Sequence, residues 1–320
     1  MKNRIIYYIN HWYDIPVVKQ LILWSKKVIL PGFKGIPLFY IVRFLVEETK
    51  QDRMMTRANS MAFSFFLSLF PAIIFLFTLL PHLDITHQLD TSIANSIYRL
   101  LPRTASDYLL GIIHDITGIK RQGLLSFGFL LAVYFSSQGV LTMMIGFDKS
   151  HIRGFGTRTY FEKRFVSLGI TIVLLLLVIS SGTLIILGDL IFGFIDNLLE
   201  TNKISPLLVS FFRWILAIFI VYVAITIIYI YAPSMNEKLK FWNIGSFTAT
   251  IMSVLTSLFF AFFVNNFGRY NEIYGSIGAL IVLMLWLKIN AFILLFGFEL
   301  NTSVLANRIR IMDKQMIKQE

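Results

Sequence analysis

The chain has 320 residues, of which 56% are hydrophobic and 15% are charged, and its mean hydropathy is +0.71. Because soluble proteins carry about a quarter charged residues, this composition excludes an ordinary soluble domain and indicates that lipid surrounds much of the chain. The sequence contains no cysteine, which excludes disulfide bonds, thiolate metal sites and cysteine nucleophiles. The net charge of +11 predicts an anionic partner, which is either nucleic acid or a membrane surface.

The N-terminal segment shows no signal peptide. Asp14, Lys19, Lys26 and Lys27 interrupt its apolar stretches, and no small-residue cleavage site follows them. We therefore expect residues 1–56 to form a cytoplasmic and interfacial segment of the mature protein.

The end of this segment has the pattern of an amphipathic helix. Leu38, Ile41, Val42, Leu45 and Val46 recur at helical spacing, and charged residues gather after them. The pattern predicts a helix that lies along the cytoplasmic membrane interface. A short helix packed beneath the membrane-spanning bundle is an alternative that the spacing does not exclude.

Long apolar runs predict six transmembrane helices, because a helix needs about 18 or more apolar residues to cross a bilayer. The runs cover residues 61–80, 124–147, 165–187, 207–231, 244–264 and 277–300. None alternates as a membrane-spanning β-strand does. The predicted fold is an all-α integral membrane protein, with a membrane domain at 57–301 and a basic tail at 302–320.

The distribution of basic residues predicts the orientation. Most of the 29 Lys and Arg residues lie in the N-terminal segment, in the loops after the second and fourth spans and in the C-terminal tail. By the positive-inside rule both termini then face the cytoplasm. These charges lie where anionic lipid headgroups are found, so membrane lipids are favoured as partners over nucleic acid. The sequence does not identify which proteins, if any, bind the chain.

The 82–122 loop is long for a connection between helices. Apolar residues three and four apart at 90–102 and at 103–118 predict two short amphipathic helices, which would cover the outer end of the bundle.

Few residues have the spacing of a catalytic or metal site. His82, His87 and His114 lie near aspartates in this loop, but their spacing matches no established set of metal ligands, and solvated surface histidines are favoured. The sequence has no glycine-rich phosphate loop, serine nucleophile elbow or paired intramembrane carboxylates. It therefore predicts a non-enzymatic protein with no metal and no cofactor.

Polar residues repeat along the faces of several predicted spans. They are Ser64 and Ser68 before Pro71 in the first span, Gln138 in the second, and Ser253 and Ser257 in the fifth. Such stripes are typical of close helix packing, and a hydrophilic groove is the alternative. At the cytoplasmic end of the sixth span, Glu299 and Asn301 are expected to face inward and to contact another helix.

Lys288 lies at the midpoint of the sixth predicted span. A lysine at this depth costs about 3 kcal/mol on insertion scales, so we expect it to face the bundle interior. The polar groups at similar depth include Gln138, the serines of the fifth span and a carbonyl that Pro71 leaves without its helical partner. One of these is the expected contact. The glycine-rich passage at 268–278 is expected to form a turn before the span begins.

Four stretches have a recognisable pattern: "ANSMAFSFFLSLFPAIIFL", "YIYAP", "FWNIGSF" and "NNFGRYNEIYGSIGALIVLMLWLKINAFILLFGFELN". In the last, the characteristic positions are Tyr270, Asn271, Tyr274, Gly275, Gly278, Trp286 and Gly297. From about residue 30 to 305 the chain resembles the YihY/BrkB family of bacterial inner-membrane proteins. Lys288 departs from that pattern, which usually has an aromatic or apolar residue there.

The resemblance implies a multi-pass protein of the bacterial plasma (inner) membrane. Members of the family are associated with envelope integrity and, more loosely, with movement of lipids or other amphiphiles. An older ribonuclease label for some members finds no support, because the sequence has no His-x-His-x-Asp-His metal motif. We expect a transporter or flippase-like protein whose path follows the polar faces of the spans. The alternative is a structural or scaffolding protein whose polar stripes only pack helices.

Overall fold

The computed structural model describes residues 16–29, 32–33, 35–51, 54–79, 122–148, 154–198, 206–266 and 268–316. Regular structure in these ranges is helical, apart from an isolated β-bridge between Phe155 and Met235. The helices are α1 (Pro16–Ser25), α2 (Leu38–Gln51), α3 (Met54–Leu79), α4 (Gln122–Gly146), α5 (Tyr160–Leu198), α6 (Pro206–Tyr231), α7 (Ile244–Asn266) and α8 (Gly268–Met316).

Five helices contain a stretch that is long and apolar enough to cross a membrane. The stretches are Phe127–Gly146, Tyr160–Ser181, Phe211–Tyr231, Ile244–Val264 and Leu280–Ile309. They correspond to the second to sixth predicted spans. The first predicted span falls in α3, whose side chains are described only as far as Pro71, so the count of six stays a prediction. The two helices expected at 90–102 and 103–118 lie outside the described residues.

The last helix is longer than expected. α8 has 49 residues, or about 73 Å at 1.5 Å per residue, against about 30 Å of hydrocarbon in a bilayer. Residues 268–278 belong to it, so the expected turn there is wrong. A glycine inside a helix costs only about 1 kcal/mol, which is less than a backbone group left unbonded in lipid.

The long helices form a closed ring. α3 packs against α4, α4 against α5, α5 against α6, α6 against α7, α7 against α8, and α8 returns to α3. The helix α2 packs against α8 from outside this ring. A closed ring of this kind encloses an interior that side chains must either fill or leave accessible.

Among the described residues, burial is concentrated in one half of the ring, the dense half, and is sparse in the other, which we call the loose half. The dense half ends where Arg57, Arg158, Lys240 and Arg308 lie, and we call this end the basic end. Buried side chains from all six helices of the ring form one hydrophobic core near it. In the other half, no buried residue occurs in the described segments 63–71, 172–181, 211–221, 251–264 and 280–286.

The predicted amphipathic helix α2 packs against the bundle. Ile41 is buried in a cluster with Leu300 and Val304 of α8, and Leu45 packs against that cluster, whereas Val42 on another face is exposed. Apolar spacing alone does not distinguish a face that contacts protein from one that contacts lipid. The structure shows protein contact for the first of these faces.

α7 and α8 cross at two glycines. A Cβ atom on Gly245 would collide with the carbonyl oxygen of Gly297, and one on Gly297 would lie 2.5 Å from the Tyr229 hydroxyl. The Tyr229 hydroxyl donates to the Leu294 carbonyl at 2.7 Å, so a side chain of α6 also bonds to α8 at this crossing. The rings of Phe147 and Phe298 pack 4.5 Å apart beside it and fill the centre of the basic half.

This crossing predicts how glycine substitutions affect stability. Gly245→Ala should lower the free energy of unfolding by about 1–3 kcal/mol, because the added methyl group meets backbone that cannot move aside. Gly169→Ala in α5 is the matched control, since its Cβ would meet nothing within 4 Å. Thermal unfolding in detergent measures both. Equal melting temperatures for the two variants would contradict the tight crossing.

Candidate functional site

An ion pair joins three helices at the basic end. Glu299 of α8 is 1% exposed, and its Oε1 accepts a hydrogen bond from Arg57 Nη2 at 3.0 Å. Arg57 lies in the first turn of α3, and its Nη1 donates to the carbonyl of Gly146 at 2.6 Å. Gly146 is the last residue of α4, where carbonyls lack helical partners. One guanidinium thus binds a buried carboxylate and a helix end together.

A second polar cluster joins α8 to the start of α7. Asn301 is buried, its Oδ1 accepts from the backbone N–H of Gly245 at 2.9 Å, and its Nδ2 donates to Asn243 Oδ1 at 2.8 Å. Asn243 Oδ1 also accepts from the N–H of Ser246 at 2.8 Å, which makes Asn243 the N-cap of α7. Glu299 and Asn301 therefore hold α8 to neighbouring helices at the basic end.

Two further arginines bind groups on a neighbouring helix. Arg158 Nη1 donates to the carbonyls of Tyr231 and Ala232 at the end of α6, both at 3.0 Å. Arg164 Nη1 donates to Gln138 Oε1 at 3.1 Å, and its guanidinium lies 4.2 Å from the centre of the Tyr134 ring. Sequence reasoning used these arginines only as orientation signals. Arg158 caps the C-terminus of α6, whereas Arg164 joins the first turns of α5 to the middle of α4.

The polar stripe of α3 is bonded within the bundle. Ser64 Oγ lies 3.0 Å from Thr142 Oγ1 of α4, and Ser68 donates to the Phe65 carbonyl of its own helix at 2.7 Å. Pro71 lies inside α3 and, like both serines, is half-buried. The hydroxyls of both serines in the predicted path are therefore already bonded to protein groups.

The remaining path residues are placed differently. Ser253, Ser257 and Lys288 are half-buried in α7 and α8. Gln138 Oε1 accepts a hydrogen bond from Arg164 of α5, and not from Lys288. No hydrogen bond or ion pair joins the Lys288 ammonium to any group in the part of the chain that the structure describes. Lys288 is thus half-buried, eight residues after the start of the apolar stretch Leu280–Ile309, and its position at the midpoint of a span stays a prediction.

Three buried polar atoms have no hydrogen-bond partner among the described residues: Thr226 Oγ1, Ser246 Oγ and Trp286 Nε1. Thr226 and Ser246 lie on α6 and α7, and Trp286 lies on α8 two residues before Lys288. The Trp286 ring packs 5.9 Å from that of Phe260. Sequence reasoning did not assign a role to Thr226, whose hydroxyl has no signal in the pattern.

The family-pattern residues follow one helix. Tyr270, Asn271, Tyr274 and Gly275 lie in the first turns of α8, where side chains are outside the described set, and Gly278 is buried. Gly297 forms the crossing with α7. Its place in the pattern is thereby explained by packing.

A metal site has no support in the described side chains. Among them, no group of three or more His, Asp or Glu residues lies close enough to hold a metal ion. All five histidines of the sequence, including His82, His87 and His114, lie outside the described residues, so the loop cluster is untested.

Comparison with known proteins identifies the family of the chain. The profile of a family described as "Virulence factor BrkB" matches residues 45–319. The chain belongs to this family. A relative from Bacillus subtilis (strain 168), "Putative ribonuclease-like protein YfkH", is 26% identical over 81% of the chain and 92% of its own length.

Other BrkB relatives carry a membrane name. A UPF0761 membrane protein from Alteromonas mediterranea is 26% identical over 81% of the chain and 85% of its own length. A UPF0761 membrane protein from Coxiella burnetii is 22% identical over 81% of the chain and 90% of its own length. No solved structure matches the chain. Together with the five apolar helices, the match identifies a membrane protein of the BrkB family.

The Arg57–Glu299 pair makes a sharp prediction. Arg57→Leu should lower the free energy of unfolding by about 3–5 kcal/mol, because it leaves a buried carboxylate without its cation. The double variant Arg57→Leu/Glu299→Leu should recover part of this loss. Glu237→Gln is the matched control, because Glu237 is exposed and lies 3.9 Å from Arg308. Unfolding in detergent of these three variants and of the single variant Glu299→Leu measures the coupling, and additive effects of the two leucines would contradict it.

Proposed function

We propose that this BrkB protein is a non-enzymatic protein of the bacterial plasma (inner) membrane. It binds a lipid or another amphiphile and moves it across or along the bilayer, in support of envelope integrity. The membrane assignment rests on the five apolar helices and the family. The transport role is a further step, and the internal polar residues support it.

The observation that carries the proposal is the contrast between the two halves of the ring. The serines of α7 in the loose half, Ser253 and Ser257, are half-buried, and so is Lys288 of α8, which lies at the border of the dense half beside the buried core residue Leu287. Glu299 and Asn301 at the basic end are buried and bonded. A headgroup could contact the first set from the loose half. It would stop at the second set, where side chains fill the interior.

Lys288 is the residue that best fits an anionic headgroup. An ionisable residue inside a span is costly and marks a functional site by default. Its ammonium has no partner in the described part of the chain, so a phosphate group would not have to displace a protein group. Because the residue departs from the resemblance pattern, this contact concerns the ligand of this chain and not a task shared by the family.

The basic end would act as a closed gate. Phe147, Tyr229 and Phe298 fill the centre there, and the Arg57–Glu299 pair ties the ends of α3, α4 and α8 together. Movement across the bilayer requires these contacts to part, whereas movement along one leaflet does not. With no nucleotide-binding motif in the sequence, transport would be passive, ion-coupled or driven by a partner.

A scaffolding role is the second candidate, and one observation favours it. Ser64 of α3 joins two helices through its hydrogen bond to Thr142 of α4, and the Ser68 hydroxyl is satisfied within its own helix. If every polar stripe served this purpose, the protein would hold helices or partners together without moving lipid.

Reconstitution distinguishes the two roles. Liposomes that contain the purified protein should move a fluorescent anionic lipid between leaflets faster than protein-free liposomes, as read by dithionite quenching. Lys288→Met should slow this movement about tenfold, the value of one charge-assisted hydrogen bond. Lys27→Met, at an exposed position outside the ring, is the control and should have no effect. Equal rates in liposomes with and without protein would favour the scaffold.

A further inference from the structure

A pocket of about 390 Å³ opens at the basic end, beside the crossing of α7 and α8. It lies between the loop that joins α6 to α7, the first turns of α7 and the C-terminal extension of α8. Asn243 and Asn301 form part of its lining, and their mutual hydrogen bond fixes that wall. The pocket is separate from Lys288, which does not line it.

The charge of the lining is positive. Lys238, Lys240 and Arg308 contribute three cations, and Glu237 contributes one anion. The Arg308–Glu237 distance is 3.9 Å between side chains that are 48% and 74% exposed. An exposed pair at this distance is worth little, so Arg308 keeps most of its attraction for another anion. The N-terminus of α7 also faces the pocket through Asn243 and adds partial positive charge.

The other walls are apolar and aromatic. Leu239, Phe247 and Val304 line the pocket, and Phe247 is 56% exposed although it lies in the apolar stretch of α7. Trp242 is 75% exposed, and its ring stacks on Tyr222 at 5.4 Å between centres. Exposed tryptophan is typical of the membrane–water interface. The pocket thus offers cations at its outer part and an apolar surface that continues along a membrane-spanning helix.

We propose that this pocket binds a phospholipid with an anionic headgroup from the adjacent leaflet. The phosphate would lie against Lys238, Lys240 and Arg308, and an acyl chain would follow Phe247 along α7. A free phosphate ester would use only the cations and would leave the apolar walls exposed. The site deepens the proposed function by naming a lipid class, and it requires only binding.

Trp242 provides the readout. In a variant that keeps Trp242 and replaces the other four tryptophans with phenylalanine, phosphatidylglycerol with brominated acyl chains should quench fluorescence in detergent micelles. Brominated phosphatidylcholine should bind at least about fivefold more weakly, because each basic residue at a membrane surface contributes about this factor. Equal quenching by the two lipids would overturn the proposal.

Two sets of substitutions test the residues. Lys238→Gln/Lys240→Gln/Arg308→Gln should abolish the preference for phosphatidylglycerol. The matched control is a triple glutamine variant of the exposed lysines of the N-terminal part, Lys19, Lys26 and Lys27, which removes the same charge and should keep the preference. If the control variant loses the preference for phosphatidylglycerol equally, the preference comes from the net charge of the protein, and the proposed site is wrong.

Two more arms distinguish a lipid from a soluble ligand. Phe247→Ala should weaken binding of both lipids several-fold and leave their ratio unchanged. Soluble glycerol phosphate should not displace the brominated lipid, and displacement would identify a site for free phosphate esters instead. Because every arm measures binding, failure here leaves transport open, and absence of transport in liposomes leaves this site intact.

Discussion

The close crossing of α7 and α8 is the constraint on which the basic end depends. With no side chain at Gly245 or Gly297, the two backbones approach until the N–H of Gly245 reaches Asn301. The same approach leaves space for the Tyr229 hydroxyl at the Leu294 carbonyl. It also fixes the rotation of α8, so that Glu299 points towards Arg57 and the end of α4. The glycines allow the close approach of α7 and α8, and the hydrogen bonds and the ion pair then stabilise it.

The sequence predicted much of the fold because the signals are local. Long apolar runs locate helices, and the burial of Glu299 and Asn301 follows from the cost of polar groups in lipid. Tertiary packing could not be predicted in the same way. The spacing in α2 was compatible with lipid or protein contact, and a count of basic residues is the same whether Arg158 caps a helix or meets a headgroup. The partner of Gln138 is Arg164 of α5, and the sequence of α4 does not show which neighbouring helix supplies it.

The two halves of the ring differ in what they can do. Dense packing in the basic half, with aromatic rings at its centre, gives a rigid closed end. Sparse burial in the other half leaves Ser253 and Ser257 half-buried, and Lys288 is half-buried at the border between the halves. We infer that these features together suit an amphiphile, whose headgroup needs polar contacts and whose chains need lipid. Along α8, the aromatic residues at the centre of the basic half lie between Lys288 and the basic residues of the pocket.

Solvent access along α7 and α8 tests this account most directly. The chain has no cysteine, so single cysteines can be labelled without background. Cysteines at Ser257 and Lys288 should react with a membrane-impermeant maleimide added from the side of the loose half, which the charge distribution predicts to be the outside. Cysteines at the buried positions Ala291 and Ser303 should react only after denaturation. Protection of Ser257 and Lys288 equal to that of Ala291 and Ser303 would show a sealed, dry bundle and contradict the account.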